Sequence, residues 1–83
     1  METVIALVEY VARELATRRE EVVLDLRDGD DGKVICLRTH PEDVGRIIGR
    51  NGRTINALRA LVATVAGRAG LKVTVEVDAP AAS

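Results

Sequence analysis

Apolar residues recur at Val4, Leu7, Val8, Val11 and Leu15, the spacing of one face of an α-helix, with Ala12 and Ala16 flanking the stripe. Thr3 stands where an N-cap would. Arg18 and Arg19 suit the electronegative end, so the helix is predicted to fade near them. The period then drops from 3.6 to two. Val22, Leu24 and Leu26 alternate with Val23, Asp25 and Arg27, the pattern of a strand with one buried face. Asp28-Gly29-Asp30-Asp31-Gly32 reads as a hairpin turn, because Asp and Gly tolerate positive φ. A second strand follows over residues 33–39, with Ile35, Leu37 and Thr39 on one side and Val34, Cys36 and Arg38 on the other. His40-Pro41-Glu42-Asp43 marks a helix start, since proline costs no hydrogen bond in a first turn and carboxylates suit it. Gly49 and Gly52 keep that helix short. Beyond them Ile55, Leu58, Val62 and Val65 share a helical face, with Leu61 beside it, until Gly67 and Gly70. Val73, Val75 and Val77 alternate with Thr74, Glu76 and Asp78 as a last strand.

The resulting order is α-β-β-α-α-β. A strand, two helices and a strand make a crossover, which sets the second and third strands parallel and right-handed. The expected fold class is α+β: a three-stranded mixed sheet covered on one face by three helices. The chain of 83 residues has room for one core. Residues 2–78 are expected to form one domain and 79–83 a flexible tail.

Composition narrows the chemistry. Tyr10 is the whole aromatic inventory, so binding by stacked aromatic platforms is excluded. Its ring is expected to pack partly against the core edge. Cys36 is alone and cannot pair internally, and a single histidine, His40, leaves little for metal or acid–base chemistry. Asp28 and Asp30 would occupy the first and third positions of a calcium loop. Gly32, Lys33 and Thr39 then fall where that loop needs an oxygen ligand, a glycine and a bidentate glutamate. The turn reading is therefore kept. No catalytic group, metal or cofactor is expected. The apolar start of the chain is broken by Glu2 and Glu9 and lacks a basic leader, so neither a signal peptide nor a membrane span is expected. The expected location is cytoplasmic.

The net charge of −1 conceals an asymmetry. Residues 1–43 carry eleven acids and six bases, whereas residues 44–75 carry six bases and no acid. Within that basic half lies Val44-Gly45-Arg46-Ile47-Ile48-Gly49-Arg50-Asn51-Gly52-Arg53-Thr54-Ile55. Two glycines three apart, between helices, give a turn that main-chain atoms of a ligand can approach closely. Gly52 sits at a helix start, where unpaired N–H groups favour an anion. Gly45 lies one turn before Gly49 and would leave a shallow trough. Neither the GxxxxGK[ST] nor the GxGxxG phosphate pattern is present. By itself the turn also fits a tight αα-hairpin with no ligand.

This stretch resembles the KH-domain signature, hydrophobic-Ile-Gly-x-x-Gly-x-x-Ile, and the element order resembles the type II arrangement of that fold. Over residues 2–78 the chain is similar to the KhpA family of small bacterial RNA-binding proteins. The resemblance implies a groove for about four nucleotides of single-stranded RNA, clamped at the GxxG loop and of low sequence specificity. By position it implies binding through Gly45, Arg46, Ile48, Gly49, Arg50, Asn51, Gly52, Arg53 and Ile55, with Lys72 on a far rim formed by residues 68–72. It implies the role of an RNA chaperone or post-transcriptional regulator. It also implies self-association, and pairing with a larger KH-domain protein. The acidic turn 28–32 is expected at the far end from the loop. Ala60, Ala63, Thr64 and Gly67 make a small-residue strip on the long helix that suits a homodimer. Other readings stay open: a protein-interaction or ribosome-assembly adaptor on the same scaffold, or a helix-turn-helix DNA binder reading bases with Arg53, Asn56 and Arg59.

Overall fold

The computed structural model describes residues 1–78, so the expected tail at 79–83 lies outside the described residues. Helix α1 spans Glu2–Leu15, strands β1 and β2 span Val23–Gly29 and Gly32–Arg38, and α2 spans Val44–Ile48. Helix α3 spans Arg53–Arg68 and strand β3 spans Val73–Val77. Short 3-10 turns at Arg19–Glu21, Pro41–Asp43 and Arg50–Gly52 join them.

The sheet order is β1-β2-β3, antiparallel between β1 and β2 and parallel between β2 and β3. Val23 lies opposite Arg38 and Gly29 opposite Gly32, which leaves only Asp30 and Asp31 as the hairpin loop. Lys33 lies beside Val73, Ile35 beside Val75 and Leu37 beside Val77. Side chains on paired positions share a face, and Ile35, Leu37, Val73 and Val75 are buried on one of them. The helices cover that face: α1 contacts β1, while α2 and α3 contact β3. Burial of each such side chain is worth about 1.5–3 kcal/mol.

The helical stripes form as expected, with shifts. In α1 the buried positions are Val4, Val8 and Ala12, and in α3 they are Ile55, Leu58, Val62 and Ala66. Alanines at Ala12 and Ala66 let the helices sit close to each other and to the sheet. Leu61 is half exposed on the outer flank. Helix α1 begins at Glu2 with Met1 as its cap residue, so Thr3 lies inside it, and it ends at Leu15 rather than near Arg18. Ala16 is extended (ψ 143°) and buried, and it turns the chain towards β1. Tyr10 is 67% exposed: its position on α1 faces away from the core, which corrects the expectation that its ring packs there. Helix α3 runs through Gly67 and closes at Gly70 (φ 74°). The Leu71 N–H donates to the Ala66 carbonyl at 2.9 Å and the Gly70 N–H to Gly67 at 3.0 Å, a Schellman cap.

Candidate nucleic-acid interface

Pro41 and the His40 cap open the approach to the loop. The Glu42 N–H donates to His40 Nδ1 at 3.1 Å, and a single 3-10 turn delivers the chain to α2. Asp43, at the end of that turn, is buried. Its carboxylate accepts the Thr17 hydroxyl at 2.7 Å and the Arg18 N–H at 3.0 Å, with the Arg46 guanidinium 3.8 Å away. The Arg18 N–H first, then the Thr17 hydroxyl, hold this carboxyl well below its ordinary range, at about 2, against the opposing effect of burial. The start of α2 is thereby fixed to the α1–β1 connection.

The loop that follows is shaped by its backbone. Gly49 has φ 77°, Asn51 has φ 57° and Gly52 has φ 73°. A Cβ on Gly49 would lie 2.7 Å from Thr54 Cβ and 2.9 Å from its backbone nitrogen, so only glycine fits between α2 and α3. Gly52 is different: a Cβ there meets nothing nearer than Asn56 Nδ2 at 3.6 Å, and around Gly45 the space is open. These two glycines leave bare surface instead of making room for neighbouring side chains. Gly45, Arg46, Arg50, Asn51 and Arg53 are exposed, and Ile48, Gly49 and Gly52 are half-buried.

Two of the residues assigned from the sequence stand apart from the loop, Lys72 on the 68–72 segment where the far rim was expected. Ile55 is buried in the core, 5% exposed, and seats α3 instead of lining a groove. Lys72 lies at the opposite end of α3, which at about 1.5 Å per residue is some 24 Å long. There its carbonyl accepts the Lys33 N–H at 2.9 Å and its ammonium pairs with Asp31 at 2.9 Å. Gly32 (φ 139°) makes this junction possible, since a Cβ would stand 2.8 Å from Lys72 Cβ. The acidic hairpin thus joins the far end of α3 and neutralises the lysine expected on the rim.

Ion pairing concentrates the remaining positive charge. Every Lys and Arg outside residues 50–68 has a carboxylate within 3.9 Å. Arg50, Arg53, Arg59 and Arg68 have none among the described residues. The uncompensated cations therefore belong to the loop and α3, although the isoelectric point is near 5.8.

The two flanks of α3 differ in chemistry. Towards α1 a shallow trough of about 360 Å³ is lined by Val11, Leu15, Ala57, Leu58 and Leu61, with Arg53 and Thr54 at its mouth. Towards β3, Asn56 follows Gly52 by one turn. There Arg59 Nε donates to the Val75 carbonyl at 2.8 Å and Arg59 Nη1 to Asn56 Oδ1 at 3.2 Å. From the sequence, Asn56 and Arg59 enter only as base readers of the helix-turn-helix alternative, and the Thr17–Asp43 tie is not assigned. The i, i+4, i+7 spacing of Gly52, Asn56 and Arg59 was the available signal for the flank, whereas the tie spans 26 residues and left none.

A sequence model of the family described as KhpA/KhpB, KH domain, matches residues 5–77. The chain belongs to this family. It is 42% identical over 72 residues to the RNA-binding protein KhpA of Mycobacterium leprae, covering 87% of this chain and 89% of that one. The RNA-binding protein KhpA of Streptomyces coelicolor is 39% identical over 71 residues, with 84% and 89% covered. That of Borreliella burgdorferi is 34% identical over 73 residues, with 88% and 89% covered. No solved structure matches the chain. The type II KH order expected from the sequence is the order found, with the parallel β2–β3 pair joined through α2 and α3. Among the described residues no helix is long and apolar enough to cross a membrane, and no group of three or more His, Cys, Asp or Glu could hold a metal ion.

Proposed function

We propose that this chain is an RNA-binding module that holds about four nucleotides of single-stranded RNA, its GxxG turn gripping their sugar–phosphate backbone. The carrying observation is that the open backbone at Gly45 and Gly52 and the tight turn at Gly49 lie beside Arg50 and Arg53, two of the four arginines without a carboxylate partner among the described residues. Arg50, Asn51 and Arg53 meet phosphates, Arg46 adds charge one turn earlier, and Ile48 supplies the apolar side. Most of the grip falls on backbone, so sequence specificity is low. The naming of the family's curated members as RNA-binding proteins supports the same reading. Fluorescence anisotropy with short single-stranded RNA, single-stranded DNA and duplex at two salt concentrations tests it. Preference for the unpaired strand, weakened by salt, is the expected result; equal binding of duplex or no salt dependence refutes it.

The cellular role that follows is that of an RNA chaperone or post-transcriptional regulator in the cytoplasm, working without a catalytic group, metal or cofactor. A groove this short binds weakly alone, so a second module adds affinity through effective concentration. Ala60, Ala63, Thr64 and Gly67 are exposed along α3 and suit close approach of another copy or of a larger KH-domain protein. The adaptor reading would fit a loop without glycines or with acids in it; neither holds for Gly49-Arg50-Asn51-Gly52.

A further inference from the structure

Building on the RNA reading, we propose that Arg59 reads one base of the bound strand, selecting cytosine or guanine over uracil and adenine. A strand clamped at Gly49-Arg50-Asn51-Gly52 can lay its bases along either flank of α3. The α1 flank is mostly apolar, lined by Val11, Leu15, Ala57, Leu58 and Leu61, with Arg53 and Thr54 as its polar residues. The β3 flank carries hydrogen-bonding groups that the fold holds in place. Asn56 stands one turn beyond Gly52, Arg59 stands beyond Asn56, and β3 is an edge strand whose outer side no other strand among the described residues covers.

Arg59 is half-buried there, with its guanidinium already oriented. Nε is committed to the Val75 carbonyl at 2.8 Å and one Nη1 hydrogen to Asn56 at 3.2 Å. A guanidinium has five N–H groups, so Nη1 keeps one and Nη2 keeps two. One from each makes a planar fork that matches two adjacent acceptors. Its charge is free for that use, since no carboxylate among the described residues pairs with it.

Base chemistry then dictates the choice. Cytosine presents N3 and O2 side by side on its pairing edge, and guanine presents O6 and N7 on its Hoogsteen edge. Uracil places a donor between its two carbonyls, and adenine separates N1 from N7 by its amino group and N1 from N3 by C2–H, so neither offers an adjacent pair. One nucleotide of about four is thus read, while the others are held through their backbone.

The test uses four labelled RNA octamers in fluorescence anisotropy: oligouridylate, and the same strand with one central cytosine, guanine or adenine. The full chain is expected to bind the cytosine or the guanine octamer at least about fivefold tighter than the uridylate and adenine octamers. Comparing the cytosine and guanine arms identifies the base. In Arg59→Lys, which keeps the charge but loses the fork, the ratio should collapse to about one. Arg59→Gln, with folding checked by circular dichroism, provides the same measurement if the lysine variant unfolds. The ratio is the decisive readout, because a merely structural Arg59 would weaken all four octamers together. Equal wild-type affinities, or a preference that survives in a folded Arg59 variant, overturns the proposal. Salt-sensitive binding of all four octamers alike removes only the base reader. Failure to bind any of them removes the RNA reading and this inference with it.

Discussion

Thr17 donates its hydroxyl to the Asp43 carboxylate at 2.7 Å, tying the exit of α1 to the entrance of α2. With the Arg18 N–H on its other oxygen, Asp43 is held at about 2 instead of its ordinary 3.8. A carboxyl with a lowered folded-state value stabilises the fold fully above about pH 4. That contribution is lost as pH falls through about 2. Asp43→Asn should therefore be less stable than the wild type at neutral pH, and its unfolding midpoint should fall less steeply between pH 4 and pH 2. Thermal melts of both proteins across that window check this; parallel curves would remove Asp43 from the acid response.

The three glycines before α3 should respond differently to substitution. Gly49→Ala meets Thr54 and a φ of 77° together, and should cost more than about 1–2 kcal/mol, read by denaturant unfolding. Gly45→Ala meets open space within α2 and should gain about 0.5–1 kcal/mol. Gly52→Asp has steric room, so it should stay folded at a cost of about 1–2 kcal/mol for the left-handed backbone, while its added negative charge abolishes RNA binding. A folded Gly52→Asp protein of full affinity would take the loop out of the account.

Salt should weaken binding in proportion to the phosphates neutralised. For three or four contacts on a single strand, log K should fall against log salt with a slope of about −2 to −3. Arg53→Ala should reduce that slope by about 0.7, since Arg53 lacks an acidic partner among the described residues. Arg13→Ala, whose guanidinium already faces Glu9 at 3.5 Å, should leave it unchanged. Equal slopes for all three proteins would show that the lone arginines are not the phosphate contacts.

Self-association through α3 predicts that Ala60→Glu, at an exposed position, lowers the sedimentation coefficient towards that of a monomer without lowering the melting temperature. Identical sedimentation of variant and wild type would place any contact between copies elsewhere.

Much of the architecture was legible because hydrophobic period and turn chemistry agreed along the chain. Val73, Val75 and Val77 declared a strand by alternation, and the pattern from Ile55 to Val62 declared a helix. Ala12 and Ala66 were harder to place in the core, because alanine is equally common on exposed helical faces. Around the loop, the glycines and Arg50, Asn51 and Arg53 could be placed from spacing alone. Lys72 could not. Its pairing with Asp31 follows from the register that sets Lys33 beside Val73, a contact between segments some forty residues apart that no local pattern encodes. Ile55 misled for a related reason, since an apolar residue beside a loop can face a ligand or the core and only packing decides. The expectation for the acidic hairpin agrees with the fold, because β3 and α3 run in opposite directions between the hairpin and the loop.

The segregation of lone arginines from paired ones also bears on handling the protein. Glu2, Glu20, Glu21, Asp30 and Glu76 likewise lack a cationic partner among the described residues, and they lie on other elements. One molecule then offers uncompensated charge of both signs to a chromatographic matrix. Near neutral pH and at low ionic strength it should be retarded on both a quaternary-amine resin and a sulfonated one, a double affinity that its overall titration behaviour conceals.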